Sequence, residues 1–569
     1  MHTPPAVTAE TAGGPAASRP RLRGPGVDAL RVADALVLAY LVAFLIVPLG
    51  AILVDSTALV VRGGLGDLPG FADHLMRLTR NSFVVASLVT ALAVGLAIPL
   101  AIITARVLPG SGLLGVGLTL PLLAPPFVSA FATIILFGRV GIVTQLLGRI
   151  GITMPEIYGL PGIVITHVMH LIPLAYLVIV AGLRTVPKAI EESAISLGSS
   201  PAQAITRVVL PYVASYIYMA ALLVFLASFG DVGAPLIVGG QYLVLPTEAF
   251  TRFVSFTADR RVSVLLSSWI ILISGVMLLA VRALMKRTAI AHTFSGSVYV
   301  YDVPRWRKTG AAAGWLVAAL LFVPYVTILV SSFATVWGPG LLPKAFTLQH
   351  YQALWRSVGP LRESLIVTAA ATPIAVLLAV GIGRLIRSGG RLAAALDYAT
   401  LLPFVVSGIV LGIGLIRVYA PLEATGLGLP LLSGSGLLII ALASRRLSYP
   451  VRVLNAAYTR IDRSLEECSL SLGASPAVTF ARVTLPQLYA AILAALTITF
   501  IEVVKELGVT LIVHRPGRAT LPVQIYGYAI EGNLGRAGAV SMVLLILVAA
   551  GMIAANRLTA RYARYEALP

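Results

Sequence analysis

Apolar runs, each long enough to cross a bilayer as a helix, recur along almost the whole of this 569-residue chain and leave few folds open to it. A hydrocarbon core of roughly 30 Å takes a helix of about 20 residues. Backbone amides in lipid must pair within the element, which favours helices. Candidate spans fall at 31–54, 82–105, 113–137, 160–182, 212–230 and 264–284, and again at 312–333, 364–386, 394–419, 435–456, 489–512 and 535–556. Pro121, Pro125 and Pro126 interrupt one of them, and Arg445 and Arg446 another. Composition agrees: 58% of residues are hydrophobic and 11% charged, with a mean hydropathy of +0.93, where soluble domains carry about 25% charge. The predicted fold class is an all-α polytopic membrane protein of about 12 transmembrane helices, arranged as two tandem six-helix units.

The formal charge of +19 does not mark a nucleic-acid binder. Membrane proteins concentrate Lys and Arg in cytoplasmic loops, and no basic stripe interleaved with aromatics occurs on a polar face. An N-terminus inside the cell puts the Arg19–Arg31 tail, the Arg282–Lys308 linker, the Arg384–Arg391 stretch and the Arg557–Arg564 tail together in the cytoplasm. The stretches left outside, 55–81 and 241–262, mix both signs. Both termini are therefore expected in the cytoplasm. A single cysteine, Cys468, excludes an internal disulfide and any CxxC site. Residues 1–30 lack the short apolar region and small-residue cleavage site of a signal peptide, and read as a disordered cytoplasmic tail.

The two sets of spans repeat one another. EESAISLGSSPAQAITRVVLP at 191–211 and EECSLSLGASPAVTFARVTLP at 466–486 agree at 12 of 21 positions, 275 residues apart. The same offset aligns GDVGAPLIV at 230–238 with KELGVTLIV at 505–513. The chain divides accordingly into a tail at 1–30, a first unit at 31–284, a basic linker at 285–311, a second unit at 312–556 and a tail at 557–569. Six spans return the chain to its starting side, so both copies face the same way.

The best-matched segment is a polar loop between spans four and five of each half. Loops drift in sequence faster than the elements they join, so agreement there points to a shared binding task. Its chemistry reads as helix, turn, helix. Glu191 and Glu192 suit the positive end of a first helix, and Gly198 a left-handed C-terminal stop. Ser200 offers an N-cap and Pro201 the first position of a second helix. Arg207, Val208 and Leu210 follow before Pro211. Glu466, Glu467, Gly473, Ser475, Pro476, Arg482, Val483, Leu485 and Pro486 reproduce each element.

This spacing resembles the "EAA" loop of type I ABC-importer permeases, at Glu192-Ser193-Ala194…Gly198…Val208-x-Leu210-Pro211 and Glu467-Cys468-Ser469…Gly473…Val483-x-Leu485-Pro486. Small residues at 193, 468 and 469 depart from the motif's own letters and keep its helix packing. The resemblance covers about 80–283 and 362–556, with one extra span before each block. It implies a permease in the bacterial inner membrane whose loops form coupling helices in clefts of two ABC ATPase subunits. It also implies a periplasmic or lipid-anchored substrate-binding protein, with lipid around the spans. No G-x-x-x-x-G-K-[ST] occurs, so this chain is expected to bind no cofactor and to rely on a partner for ATP hydrolysis. No catalytic constellation or metal-ligand set is expected.

Ionisable residues at membrane depth are functional candidates. His167 and His170 share a helix face, and Arg445 and Arg446 occupy the matching stretch of the second half. Metal handling and helix packing are both open for the histidine pair. Asp231 aligns with Glu506, near Glu502 and Lys505, as either a gate or an interhelical ion pair. Gly408 and Gly412 form a GxxxG in the ninth span. The Phe229–Gly240 and Phe500–Leu511 segments look similar to the ferric-iron permease group, with 2-aminoethylphosphonate and thiamine permeases as neighbours. Ferric iron leads among these cargoes, and an ion-coupled secondary transporter is the competing class.

Overall fold

The computed structural model describes residues 25–63, 66, 68–108, 110, 112–255, 259–288, 299–337, 340, 343–424 and 435–566. Most of the tail expected at 1–30 lies outside the described residues, and a helix is already under way at Pro25. Among the described residues the only β pairing is one bridge, Ala334 with Phe346. Eight helices there are long and apolar enough to cross a membrane, and three bent pairs bring the total to 11. The twelfth expected span, 435–456, is helical in two eleven-residue pieces, Gly436–Arg446 and Ser448–Tyr458, joined at Leu447.

Several expected spans are broken, for reasons local to the chain. At 113–137 the helix Gly112–Thr119 tightens into a 3-10 turn, Leu120–Leu123, and a new helix runs Pro126–Phe137. Ala124 and Pro125 between them are extended, with ψ of 149° and 148°, because a proline excludes its predecessor from the helical region. The expected span 394–419 bends by 106° between Gly390–Val405 and Gly408–Leu422. The span placed at 489–512 ends at Val504 and resumes as a short helix, Gly508–Val513. Its counterpart, Ala214–Gly230, is followed by Gly233–Val238. Broken helices survive at membrane depth only where protein surrounds the freed backbone groups, and here it does. Gly408 lets the break at 504–508 approach: a Cβ there would meet Glu506 Oε1 at 2.7 Å and Val509 N at 2.9 Å. At Gly412 it would meet Ile512 Cβ at 2.8 Å. The GxxxG is a site of close packing.

Each half is centred on three mutually packed helices. In the first half these are Phe71–Ile102, Leu160–Leu183 and Ala214–Gly230, and in the second Gly359–Arg387, Ser448–Tyr458 and Tyr489–Val504. The leading helix of each half crosses over. Ala29–Val61 lies on Gly359–Arg387 and Gly408–Ala424 of the second half and also on Arg260–Thr288 of its own. Pro304–Phe333 lies on Gly112–Thr119 and Pro126–Phe137 of the first half and also on Leu534–Glu566 of its own. At the linker expected at 285–311, one helix runs to Thr288 and another starts at Pro304. The tail expected at 557–569 is helical to Glu566.

Candidate functional site

The two matched loops have one backbone. In the first, Lys188–Ser196 is a helix that ends on Gly198 at φ 86°, and Pro201–Ala204 begins the second helix. The amides of Gly198 and Ser199 donate back to the carbonyls of Ile195 and Ala194 at 2.9 and 3.1 Å, the paired bonds of a Schellman stop. Ser200 Oγ accepts from the Gln203 amide at 3.3 Å while Gln203 Oε1 accepts from the Ser200 amide at 3.0 Å, a capping box. The second loop repeats this with Arg463–Ser471, Gly473 at φ 86°, Ser475 as cap and Pro476–Thr479. Each then passes through a π turn, Ile205–Val209 or Phe480–Thr484, before Pro211 or Pro486.

Both loops stand at the same end of the bundle. The second lies by the start of the leading helix, where Asp34 pairs with Arg384 and that guanidinium sits over the Phe480 ring, 5.7 Å from its centroid. The first lies by Trp306 at the start of the next leading helix. Ser56 and Ser268, hydrogen-bonded at 2.8 Å, mark the opposite end.

Of the paired acids, the structure selects the first in each loop as the anchor. Glu191 is buried, with Arg106 Nη2 at 2.9 Å from Oε1 and the Tyr301 hydroxyl donating to Oε2 at 2.8 Å. Arg106 is also fully buried and donates to the Leu183 carbonyl at 2.6 Å. Burial lifts the Glu191 carboxyl above the ordinary carboxylate range, against the pull of Arg106 and Tyr301, and burial with Glu191 alongside pushes up the Tyr301 phenol. In the second loop Glu466 meets Arg387 at 3.2 Å and accepts from Thr484 Oγ1 at 2.7 Å. This lock is wetter: Glu466 keeps 26% and Arg387 12% of the side chain exposed, against none at Glu191 and Arg106.

The other predicted loop residues sit outside these locks. Glu192 is exposed and pairs with Lys188 at 2.9 Å, and Glu467 is exposed. Ser193 bonds back to the Ala189 carbonyl, Ala194 packs under the loop with Ala204, Ile205 and Tyr301, and Cys468 is exposed. Arg207, Pro211, Arg482, Leu485 and Pro486 are exposed, and Leu210 is half-buried. Sequence reasoning missed Arg106, Arg387 and Tyr301. It also missed the leucines at the two tips, Leu197 and Leu472, which are 87% and 83% exposed. A large apolar residue just before the stop glycine in both copies was the available signal.

The ionisable residues singled out at membrane depth converge between the halves. From the first half, His167 reaches Ser228 Oγ at 2.9 Å and Asp231 Oδ2 at 3.0 Å, and Asp231 also accepts the Ala234 amide at 2.9 Å. From the second, Arg446 bridges Glu502, at 2.9 Å, and Glu506, while Arg445 Nε stands 3.8 Å from Glu506 Oε1. Glu506 Oε1 accepts the Val509 amide at 3.2 Å. Aligned Asp231 and Glu506 thus do the same work, each capping the short helix after its break. Lys505 joins the halves: its ammonium lies 2.7 Å from Glu502 and donates to the Leu122 carbonyl of the first half at 3.3 Å. Within this stretch Glu502 pairs with Lys505, while Glu506 turns to the arginines of the neighbouring helix, an interhelical ion pair. His170 is buried alongside, within electrostatic range of Lys505 and Asp231. Among the described residues no three His, Cys, Asp or Glu side chains gather closely enough to hold a metal ion.

Comparison with known proteins bears on this arrangement. The family model of the binding-protein-dependent transport system inner membrane component matches residues 97–290, which include the first loop. The chain is 26% identical over 445 residues to the putative ferric transport system permease protein FbpB 1 of Haemophilus influenzae, covering 75% of this chain and 69% of that one. It is 25% identical over 498 residues to the ferric transport system permease protein FbpB of Actinobacillus pleuropneumoniae, covering 84% and 70%. It is 30% identical over 269 residues to the putative 2-aminoethylphosphonate transport system permease protein PhnV of Salmonella typhimurium, covering 45% of this chain and 97% of the other.

Proposed function

Since this chain belongs to the binding-protein-dependent transport system inner membrane components, the permeases of ABC importers, we propose that its twin loops dock two copies of a separate ABC ATPase and that ferric iron is the cargo passed between its halves. The observation that carries the docking is the pair of identical loop backbones at one end of the bundle, each with an exposed leucine at its tip. A protruding leucine is stabilised by about 2 kcal/mol when a partner buries it, and a helix locked at its base presents it without a further ordering cost. This end, with both termini, is assigned to the cytoplasm, where the ATPase holds the nucleotide and this chain holds none. A substrate-binding protein docks at the opposite end.

The cargo assignment rests on the two relatives whose alignments run through both halves and are named as ferric permeases. The central cluster suits a gate: Arg445, Arg446 and Lys505 are balanced by Asp231, Glu502 and Glu506, and a path must not hold its cargo tightly. We read His167 and His170 as packing residues of that gate. A second cargo, 2-aminoethylphosphonate, is favoured by the higher identity of the half-length relative named for it. Family membership sets aside the ion-coupled carrier. The test is uptake into vesicles holding this chain with its cognate ATPase and binding protein. ATP-dependent accumulation of ferric iron is expected. Binding-protein-stimulated ATP hydrolysis with 2-aminoethylphosphonate and not with iron would overturn the cargo and leave the docking in place.

A further inference from the structure

At the end of the bundle away from the loops, four helices line an open-sided cavity of about 520 Å³. The leading helix Ala29–Val61 and the helices Leu245–Val254 and Arg260–Thr288 come from the first half, and Gly408–Ala424 from the second. Leu59, Phe253, Val264, Ile413 and Ile416 make an apolar floor, and Arg62, Arg260, Arg261 and Arg417 stand at the walls. Two of these arginines are neutralised: Arg417 by Asp55 at 2.7 Å, and Arg261 by Asp259 at 2.7 Å. The Arg261 guanidinium holds the Asp259 carboxyl below the ordinary range, so this acid stays charged and committed to its partner. Arg62 and Arg260 meet no carboxylate among the described residues; Arg260 lies over the Phe253 ring, 5.9 Å from its centroid.

Among the described residues, four arginines against two acids leave two positive charges over an apolar floor. That pattern is complementary to an anionic amphiphile: a phosphate between the spare guanidiniums, which it can engage through paired hydrogen bonds, and a hydrocarbon chain on the floor. The depth agrees. Arg62 directly follows a membrane-length helix and Arg260 opens another, where charged heads meet lipid headgroups. The flanks agree too, because Val54 and Val61 beside the cavity are 66% and 85% exposed, as lipid-facing residues are. We propose that this cavity binds one anionic phospholipid, phosphate on Arg62 and Arg260 and acyl chain against Ile413 and Ile416, and that the lipid ties the far ends of the two halves together. The site is independent of which cargo crosses the membrane.

The test uses the full chain, purified in detergent, titrated with phosphatidylglycerol or phosphatidylethanolamine of matched chains and followed by native mass spectrometry. Phosphatidylglycerol is expected to be retained preferentially. The double variant Arg62→Ala/Arg260→Ala should lower that retention about thirtyfold, the effect of two arginines near an anionic surface, while its elution profile stays that of the parent. Ala58 also lines the cavity, and Ala58→Trp keeps every charge and fills the floor; it should lose the lipid as well, and serves if the arginine variant does not fold. Equal retention of the two lipids, or unchanged retention in either folded variant, would overturn the site. Displacement of the lipid by millimolar inorganic phosphate would assign it to a soluble anion instead. If the arginine variant kept its lipid and lost only stimulation by the binding protein, the surface would be a protein contact and the proposal wrong.

Discussion

Replacing Glu191 and Glu466 by alanine separates a dry lock from a wet one. Glu191→Ala strands the Arg106 guanidinium, which has no exposed surface and keeps only the Leu183 and Ala105 carbonyls. Removing one partner of a buried pair costs about 3–5 kcal/mol. In Glu466→Ala, Arg387 keeps its bonds to the Tyr458 and Ile461 carbonyls and is open to water, so the loss is about 1 kcal/mol, the scale of a solvated pair. A factor of ten in an equilibrium corresponds to about 1.4 kcal/mol. Hydrogen exchange across 188–211 should therefore accelerate by about two to three and a half orders of magnitude, up to the limit of full opening, and across 463–487 by about fivefold. The readout is exchange mass spectrometry of the purified chain, each variant against the parent. Equal acceleration in both loops would refute the argument from burial, and a larger effect in the second would reverse it.

Other expectations concern single contacts. Leu197→Asp and Leu472→Asp should each weaken capture of the cognate ATPase at least tenfold, since each replaces about 2 kcal/mol of apolar burial with a charge to be desolvated; pull-down titrations would show it. Lys505→Met leaves Glu502 short of a cation and the Leu122 carbonyl unbonded at the junction of the halves. A loss of about 3–5 kcal/mol of stability at that junction should appear, if the cluster is the proposed gate, as raised basal ATP hydrolysis in the assembled transporter. Gly408→Ala sets a methyl 2.9 Å from the Val509 amide, a backbone atom that cannot turn aside; a cost of about 1–3 kcal/mol should lower the thermal unfolding midpoint. The loops should respond to pH with opposite sign. The lifted Glu191 carboxyl binds its proton more tightly in the closed loop than in the open one, so closure of the first loop weakens as pH rises from 4.5 through the lifted value. Asp462, lowered by the Ser464 amide it caps, adds stability to the second loop above 3.8 that is lost as pH falls through its folded value. Exchange protection measured from pH 7 down to about 2.5, corrected for intrinsic rate, checks both.

The loops were legible because their conformation is written in residue types at fixed offsets. A glycine at 198 and 473 and Ser-Pro at 200–201 and 475–476 dictate the stop and restart whatever surrounds them. The broken spans were less so. Hydropathy runs on across Val406 and Ser407, where the chain turns by 106°, because what stabilises that bend is the helix Gly508–Val513 a hundred residues away. Arg106 and Arg387 read as ordinary basic residues closing a span, and nothing local reveals that Glu191 and Glu466 fold back onto them. Choosing between adjacent glutamates likewise required burial, which one helical turn decides and composition does not. The central cluster was legible as a set of costly residues at matched positions, but the bridge from Lys505 to Leu122 has no trace in either stretch alone.

The crossing of the leading helices means that sequence halves and mechanical parts are different objects. Ala29–Val61 is covalently continuous with the first half yet lies along the second, and Pro304–Phe333 does the reverse. Each works as a brace laid across the seam, so the seam is sewn twice by the spans themselves before the linker adds anything. Severing the chain between these braces would leave two pieces that still clasp one another. Covalent fusion fixes one-to-one stoichiometry and pairing partner, while the grip between the halves comes from the helices that trade sides.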